Sequence, residues 1–333
     1  MQALSLQANR RMLFACRINI LRFHRPSSAR RLAPDSDVLT SPHRMAYFGM
    51  KRYKIGHETT YSFSGLVQLY PHTLRLRPRE GHELRIESSR LDISPPATLR
   101  WHRDVEGNSV SIASFIDKVK RLRIYSEVLI QKYDLAPLDF LVADYAVDYP
   151  FHYLDEDRAV LAPYLNDACG ADNVGLSDWI NKLWRHEERI QTISLLLRLN
   201  HRIFQTIAYR KREEEGVQSA ERTLYLGSGS CRDSANLFMA SARRLGFAAR
   251  FVSGYIYVNG MSMQAGSTHA WAEVFIPGAG WKGFDPTRGT IVGAEHIAVA
   301  VARLPESIPP IAGDFFGVPG SSMEVNVRVT DIT

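Results

Sequence analysis

Residues 225–255 read YLGSGSCRDSANLFMASARRLGFAARFVSGY, and this stretch leaves little choice of local structure. Gly227-Ser228-Gly229-Ser230 cannot lie inside a helix, because glycine and serine favour loops and caps. From Cys231 to Leu245 there is no glycine or proline. Leu237, Met239, Ala240 and Leu245 supply a partial apolar face, and Arg243 and Arg244 fall where cations suit the end of a helix dipole. Gly246 stands where such a helix stops. The pattern predicts a loop, a helix beginning at Cys231, and a strand over 248–258. A thiol at a helix N-terminus faces free N–H groups and the positive end of the dipole, which favour a thiolate and suit an oxyanion. Position alone leaves Cys231 equally readable as a nucleophile or as a small buried residue.

The segment 268–275, rich in aromatic and β-branched residues, predicts a strand. Pro277-Gly278-Ala279-Gly280 marks a turn, and 281–285 the returning strand, stopped by Pro286. If Phe275 faces Trp281, then His269 and Asp285 share a sheet face on a diagonal, within side-chain reach; a one-residue slip would separate them. A cysteine at a helix tip with a histidine and an aspartate on one face is the nucleophile, base and orienter set of acyl transfer.

With these residues in view, GSGSCRDSANLFMASARRLGFAARFVSGY followed by THAWAEVFIPGAGWKGFDPT resembles the transglutaminase-like superfamily, in that family's order of Cys, His and Asp. HETTYSFSGLVQLYPHTLRLRPREGHELRIESSRLDISP, with RDVEGNSV after it, is similar to the N-terminal β domain of the bacterial members, and EHIAVAVARLPESIPPIAGDFFG to the family's closing region. The resemblance covers nearly everything after residue 52. It implies an α+β fold: an N-terminal antiparallel β-sandwich or barrel-like domain, then a papain-like core of helices on an antiparallel sheet. It implies Cys231 as nucleophile, His269 as general base and acid, and Asp285 as the residue orienting the imidazole. No cofactor is expected.

Composition narrows the alternatives. Of the formal net charge of +6, all lies in residues 1–50, which hold eight arginines, two aspartates, and no lysine or glutamate. The remainder is neutral, so no nucleic-acid partner is expected for the folded body. Cys16, Cys169 and Cys231 are too few and too scattered for a disulfide framework or a zinc site. No acidic cluster has calcium-site spacing, and no metal is expected. No apolar run reaches the length of a membrane helix, and Met12 to Cys16 is too short for a signal peptide, so a cytoplasmic protein with no membrane contact is expected. The Arg-rich residues 1–48 read as a disordered tail, a start-site artefact or a transit-like segment.

Residues 49–134 are read as the N-terminal β domain, with strands over 53–63, 72–77, 83–93, 99–105, 109–115 and 122–131 and a hairpin turn at Glu106-Gly107-Asn108. His57, His72 and His82 are spaced too irregularly for a metal site. Residues 135–170 are an aromatic-rich connector broken by prolines, and 171–333 the catalytic domain. Helices are expected over 177–188 and 190–210, with His201 partly exposed, and a closing strand over 323–329. Residues 259–268 read as a flexible lip. His296 is a second candidate base, read as a wall residue; Tyr255, Trp271 and Trp281 are candidates to line an apolar approach, core packing being the alternative. The expected function is cysteine-dependent acyl transfer or hydrolysis at peptide or carboxamide bonds, acting on a peptide or protein substrate. The alternative is a non-catalytic member serving binding.

Overall fold

The computed structural model describes residues 50–133, 136–166, 174–185, 188–212, 214–259, 268–317 and 320–333. The basic tail, Cys16, Cys169 and residues 260–267 of the expected lip lie outside these. In the N-terminal half, six strands follow one another: β1 (Lys51–Leu69), β2 (His72–Leu74), β3 (Leu84–Ser94), β4 (Thr98–Arg103), β5 (Ser109–Ser114) and β6 (Lys118–Lys132). Period-two burial along β1 places Tyr53, Ile55, His57 and Thr59 inward, as alternation requires. The expected strands are all present. The segment read as 72–77 is regular only to Leu74, although Leu76 is still buried.

The middle of the chain is mostly helical. After β7 (Asp148–Tyr149) come α1 (Asp155–Leu165), α2 (Val174–Asn181), β8 (Ile190–Gln191), α3 (Thr192–Thr206), β9 (Ala208–Tyr209), α4 (Ala220–Leu226), β10 (Ser228–Gly229) and α5 (Cys231–Arg244). The long helix expected over 190–210 is shorter at both ends. Ile190 and Gln191 pair with β7, and Ala208 and Tyr209 pair with β10, so the sheet bridges claim its ends. The expected helix over 177–188 begins at Val174 and ends at Asn181.

Five strands then form an antiparallel sheet: β11 (Ala249–Ile256), β12 (His269–Ile276), β13 (Gly280–Asp285), β14 (Thr290–Ile291) and β15 (His296–Ala302), in the order β14-β13-β12-β11-β15. Helix α5 packs on this sheet; eleven of its residues, Cys231 and Phe238 among them, are buried, and Phe238 stacks on Phe284 at 5.3 Å. The fold is thus mixed α/β with helices on an antiparallel sheet, as expected.

The last strands return to the beginning: β16 (Ile311–Ala312), β17 (Phe315–Gly317) and β18 (Ser321–Asp331). β18 pairs with residues 53–63 of β1, β17 pairs with Val67–Leu69, and the first sheet runs β17-β1-β6-β3 with β18 also on β1. The second sheet runs β16-β2-β5-β4, and Phe63, Val67, Leu74, Ala113, Leu122 and Ile124 fill the space between the two. This sandwich docks on the third sheet through specific bonds. Asn108, from the expected hairpin turn, donates Nδ2 to Val301 O at 2.8 Å and accepts Val301 N–H at 2.9 Å.

Candidate active site

The start of α5 is built by Asp233, one turn in. Its Oδ2 accepts the Ser230 N–H at 2.7 Å and the Ser230 hydroxyl at 2.8 Å, and its Oδ1 accepts Gln218 N–H at 2.8 Å and Arg212 Nη1 at 2.7 Å. Asp233 thus reaches back to the helix cap, and it ties the preceding loop to it. Gly229 is required for this approach: a Cβ there would lie 2.7 Å from Asp233 Cβ. Cys231 is the first helical residue, so its N–H has no partner within the helix. It is buried, at 9% exposure, on the rim of the core.

His269 opens β12 opposite Gly254, and Asp285 closes β13. The hairpin register is Phe275 to Trp281 and Ala272 to Phe284, which puts Asp285 on the diagonal from His269. The two side chains meet: His269 Nε2 lies 2.7 Å from Asp285 Oδ2. Cys231 is close enough to His269 to raise the imidazole's pKa. With Nε2 engaged by Asp285, the nitrogen left for the thiol is Nδ1. His269 is 3% exposed and Asp285 0%. All three residues singled out in the sequence are therefore in one cluster.

Residues 53–131 match the model of the bacterial transglutaminase-like N-terminal region, and residues 186–286 that of the transglutaminase-like superfamily. The chain belongs to the transglutaminase-like superfamily. Uncharacterized proteins of Mycobacterium tuberculosis (strain H37Rv) and Mycobacterium bovis are each 27% identical to this transglutaminase-like chain over 304 residues, covering 84% of it and 93% of their own length. A Cytophaga hutchinsonii crystal structure, of a protein put forward as a cysteine protease, is 19% identical, with a TM-score of 0.67, covering 86% of this chain and 92% of that one. At that identity it bears on the fold alone.

The electrostatics of the transglutaminase-like cluster are those of a buried ion pair. Burial by itself would raise the Asp285 carboxyl, but His269 and His296 outweigh it and hold the group well below the usual carboxylate range. Burial would lower His269, yet Asp285 and Cys231 together push it up to about 10. His296 goes the other way: burial lowers it, and its bond to Asp285 offsets only part of that.

The cluster also holds a histidine whose place the sequence did not reveal. His296, read as a wall residue, lies with its Nε2 3.1 Å from Asp285 Oδ2 and is 3% exposed. One ligating atom from each of His269, Asp285 and His296 lies within 4.8 Å of the others. The facing nitrogens both engage the same carboxylate oxygen, so the three side chains form one hydrogen-bonded cluster. Tyr209 was missed altogether. It pairs with Gly229 ahead of the nucleophile, and its hydroxyl is raised by burial and then by Cys231, with Arg232 opposing. The only sequence signal for it was an aromatic at the end of a helical pattern.

Two aromatics expected near the approach lie elsewhere. Tyr255 faces the N-terminal sandwich, where its hydroxyl meets His57 Nδ1 at 3.0 Å and Leu76 O at 3.3 Å. Trp281, at the opposite end of β13 from Asp285, packs on Tyr164 and Phe275 with Arg250 stacked over its ring at 4.1 Å. Trp271 alone stays beside the cluster, 6.1 Å from the His269 ring and 5.3 Å from that of His296. His201 is exposed, as expected.

Proposed function

We propose that this chain is a cysteine-dependent acyl-transfer enzyme acting on peptide or carboxamide bonds. The observation that carries the reading is the buried 2.7 Å bond of His269 to Asp285, with Cys231 near enough to raise the same imidazole. In the first half-reaction the Cys231 thiolate attacks the carbonyl carbon, forming an S–C bond. His269, cationic through the neutral range, passes its Nδ1 proton to the nitrogen as the C–N bond breaks, leaving a thioester and a free amine. Neutral His269 then takes a proton from the acceptor, which attacks the thioester and restores the thiolate–imidazolium pair. The N–H of Cys231 serves as one oxyanion donor and the Tyr209 hydroxyl as the candidate second.

Water as acceptor gives a protease or amidase, and an amine gives a transglutaminase. Hydrolysis is the leading reading, because water needs no acceptor site. The proposed partner is a peptide or protein substrate, and the proposed location is the cytoplasm. Among the described residues no helix is long and apolar enough to cross a membrane.

Iodoacetamide labelling at mildly acidic pH tests the enzyme reading. Rapid alkylation of Cys231, lost in His269→Ala, supports it; alkylation no faster than an ordinary thiol in the native chain favours the binding alternative. Product mass then separates the acceptors: gain of solvent oxygen-18 reports hydrolysis, and incorporation of a primary-amine probe reports transglutamination.

A further inference from the structure

Asp285 Oδ2 meets two imidazoles at once, His269 Nε2 at 2.7 Å and His296 Nε2 at 3.1 Å. On the far side of His296, the Gly293 N–H points at Nδ1 from 3.3 Å. A backbone N–H can only donate, so Nδ1 accepts; the neutral ring carries its proton on Nε2 and donates it to the carboxylate. The other oxygen, Oδ1, accepts the Thr287 N–H at 3.0 Å. The carboxylate is held from three directions, and among these partners His269 is the one that Cys231 influences. The charged or titratable groups facing His296 are Asp285, His269 and Arg288, the last paired with Glu295 at 3.4 Å. The Trp271 ring packs against it at 77°.

We propose that His296 is a positioning residue: by donating its Nε2–H to the oxygen that already holds His269, it fixes the carboxylate and limits how strongly Asp285 grips the imidazole proton. An anion shared among more donors binds each less tightly. A buried carboxylate relieved of one donor would hold the His269 proton harder, and an imidazolium that releases its proton reluctantly is a poor general acid. Burial keeps His296 below its ordinary range, so it shares the charge of Asp285 without bringing a competing one. That this sharing serves acyl transfer rests on the proposed function; the coupling between the two histidines does not.

The test is histidine nitrogen-15 NMR on the full chain with pH. In the native protein His296 is expected as the neutral Nε2–H tautomer at pH 7. In His296→Phe the His269 midpoint is expected to rise by about half a pH unit or more, and His296→Gln, whose amide N–H can replace the lost donor, should return it towards the native value. A His296 found protonated on Nδ1, or a His269 midpoint unchanged or lowered in a folded His296→Phe, overturns the proposal. Should the Phe variant fail to fold, the native tautomer and the Gln variant decide: a midpoint displaced in His296→Gln as far as half a unit counts against it. A shifted His269 in a chain whose Cys231 labels only as an ordinary thiol would leave the coupling standing and remove the enzyme reading.

Discussion

Phe275 stands opposite Trp281 across the β12–β13 hairpin, and this pairing decides that His269 and Asp285 share a face. Nothing else within the hairpin brings them together, since sixteen positions separate them in the chain. Asp285→Asn tests what the shared face supplies. The amide keeps the shape but loses the charge, and one of its ends can only donate. Acylation of Cys231 by a peptide-like reagent should fall by roughly 10²–10⁴-fold, while the His269 midpoint drops from its raised value. Stopped-flow rates and NMR titration check the two effects separately.

Stability should decline on both sides of near-neutral pH. Burial lowers His57 from 6.5 to about 4, so above 6.5 the ring is neutral in both states and contributes nothing. Between 6.5 and 4 the unfolded chain takes up the proton first, and the penalty grows to about 3 kcal/mol. His296 and His72, also lowered by burial, act with the same sign. His269 acts oppositely: raised from 6.5, its contribution is full below 6.5 and fades as pH climbs towards about 10. Asp285, held low, contributes above its unfolded value of 3.8 and loses that support under stronger acid. Urea midpoints measured from pH 4 to 10 should peak near 6.5 to 7, and His57→Gln should flatten the acid limb.

Gly254→Ala should damage both fold and site. A Cβ at this position would lie 2.3 Å from Ile297 O and 2.6 Å from the Trp271 ring. Backbone cannot yield cheaply, so a loss of about 1–3 kcal/mol is expected. Trp271 packs against both histidine rings, so the alkylation rate of Cys231 should fall in the same variant. Chemical denaturation and iodoacetamide kinetics, run together, measure the pair of effects.

Asp233→Ala removes the buried partner of Arg212 and the acceptor of Ser230 and Gln218. Burial raises the carboxyl, but the hydrogen bonds from Gln218, Ser230 and Arg212 bring it below the usual range. Breaking such a buried pair costs about 3–5 kcal/mol. The expected result is a large loss of stability, with faster proteolysis in the segment around residues 214–219. A variant as stable as the native chain would refute the role given to Asp233.

What the sequence disclosed was local punctuation. Ser230 and Gly246 bounded α5, and the Pro277–Gly280 turn set the register that joined His269 to Asp285. Gly246 does adopt the positive φ, +85°, of a left-handed stop. The helices that escaped notice had competing signals. α1 carries Pro163, which suggested a break, although Asp155, Glu156 and Asp157 marked a helix start. α4 is short, and only Ser219, accepting from Arg222 N–H, announced it. The unread part of the site is non-local: His296 reaches Asp285 from a strand on the far edge of the sheet, and Tyr255 is turned away by His57, 198 positions earlier. No local periodicity encodes such meetings.

The pairing of β18 with β1 sets a timetable for synthesis. Lys51 bonds Asp331 at 3.1 Å across 280 positions of sequence, so a strand made early waits for one made much later. At about 5–20 residues per second, β1 leaves the ribosome many seconds before its partner exists. During that interval one of its edges is open to any other strand. Nascent chains stalled after residue 302 should therefore be a favoured target for holding chaperones, and release of the final segment should end that dependence.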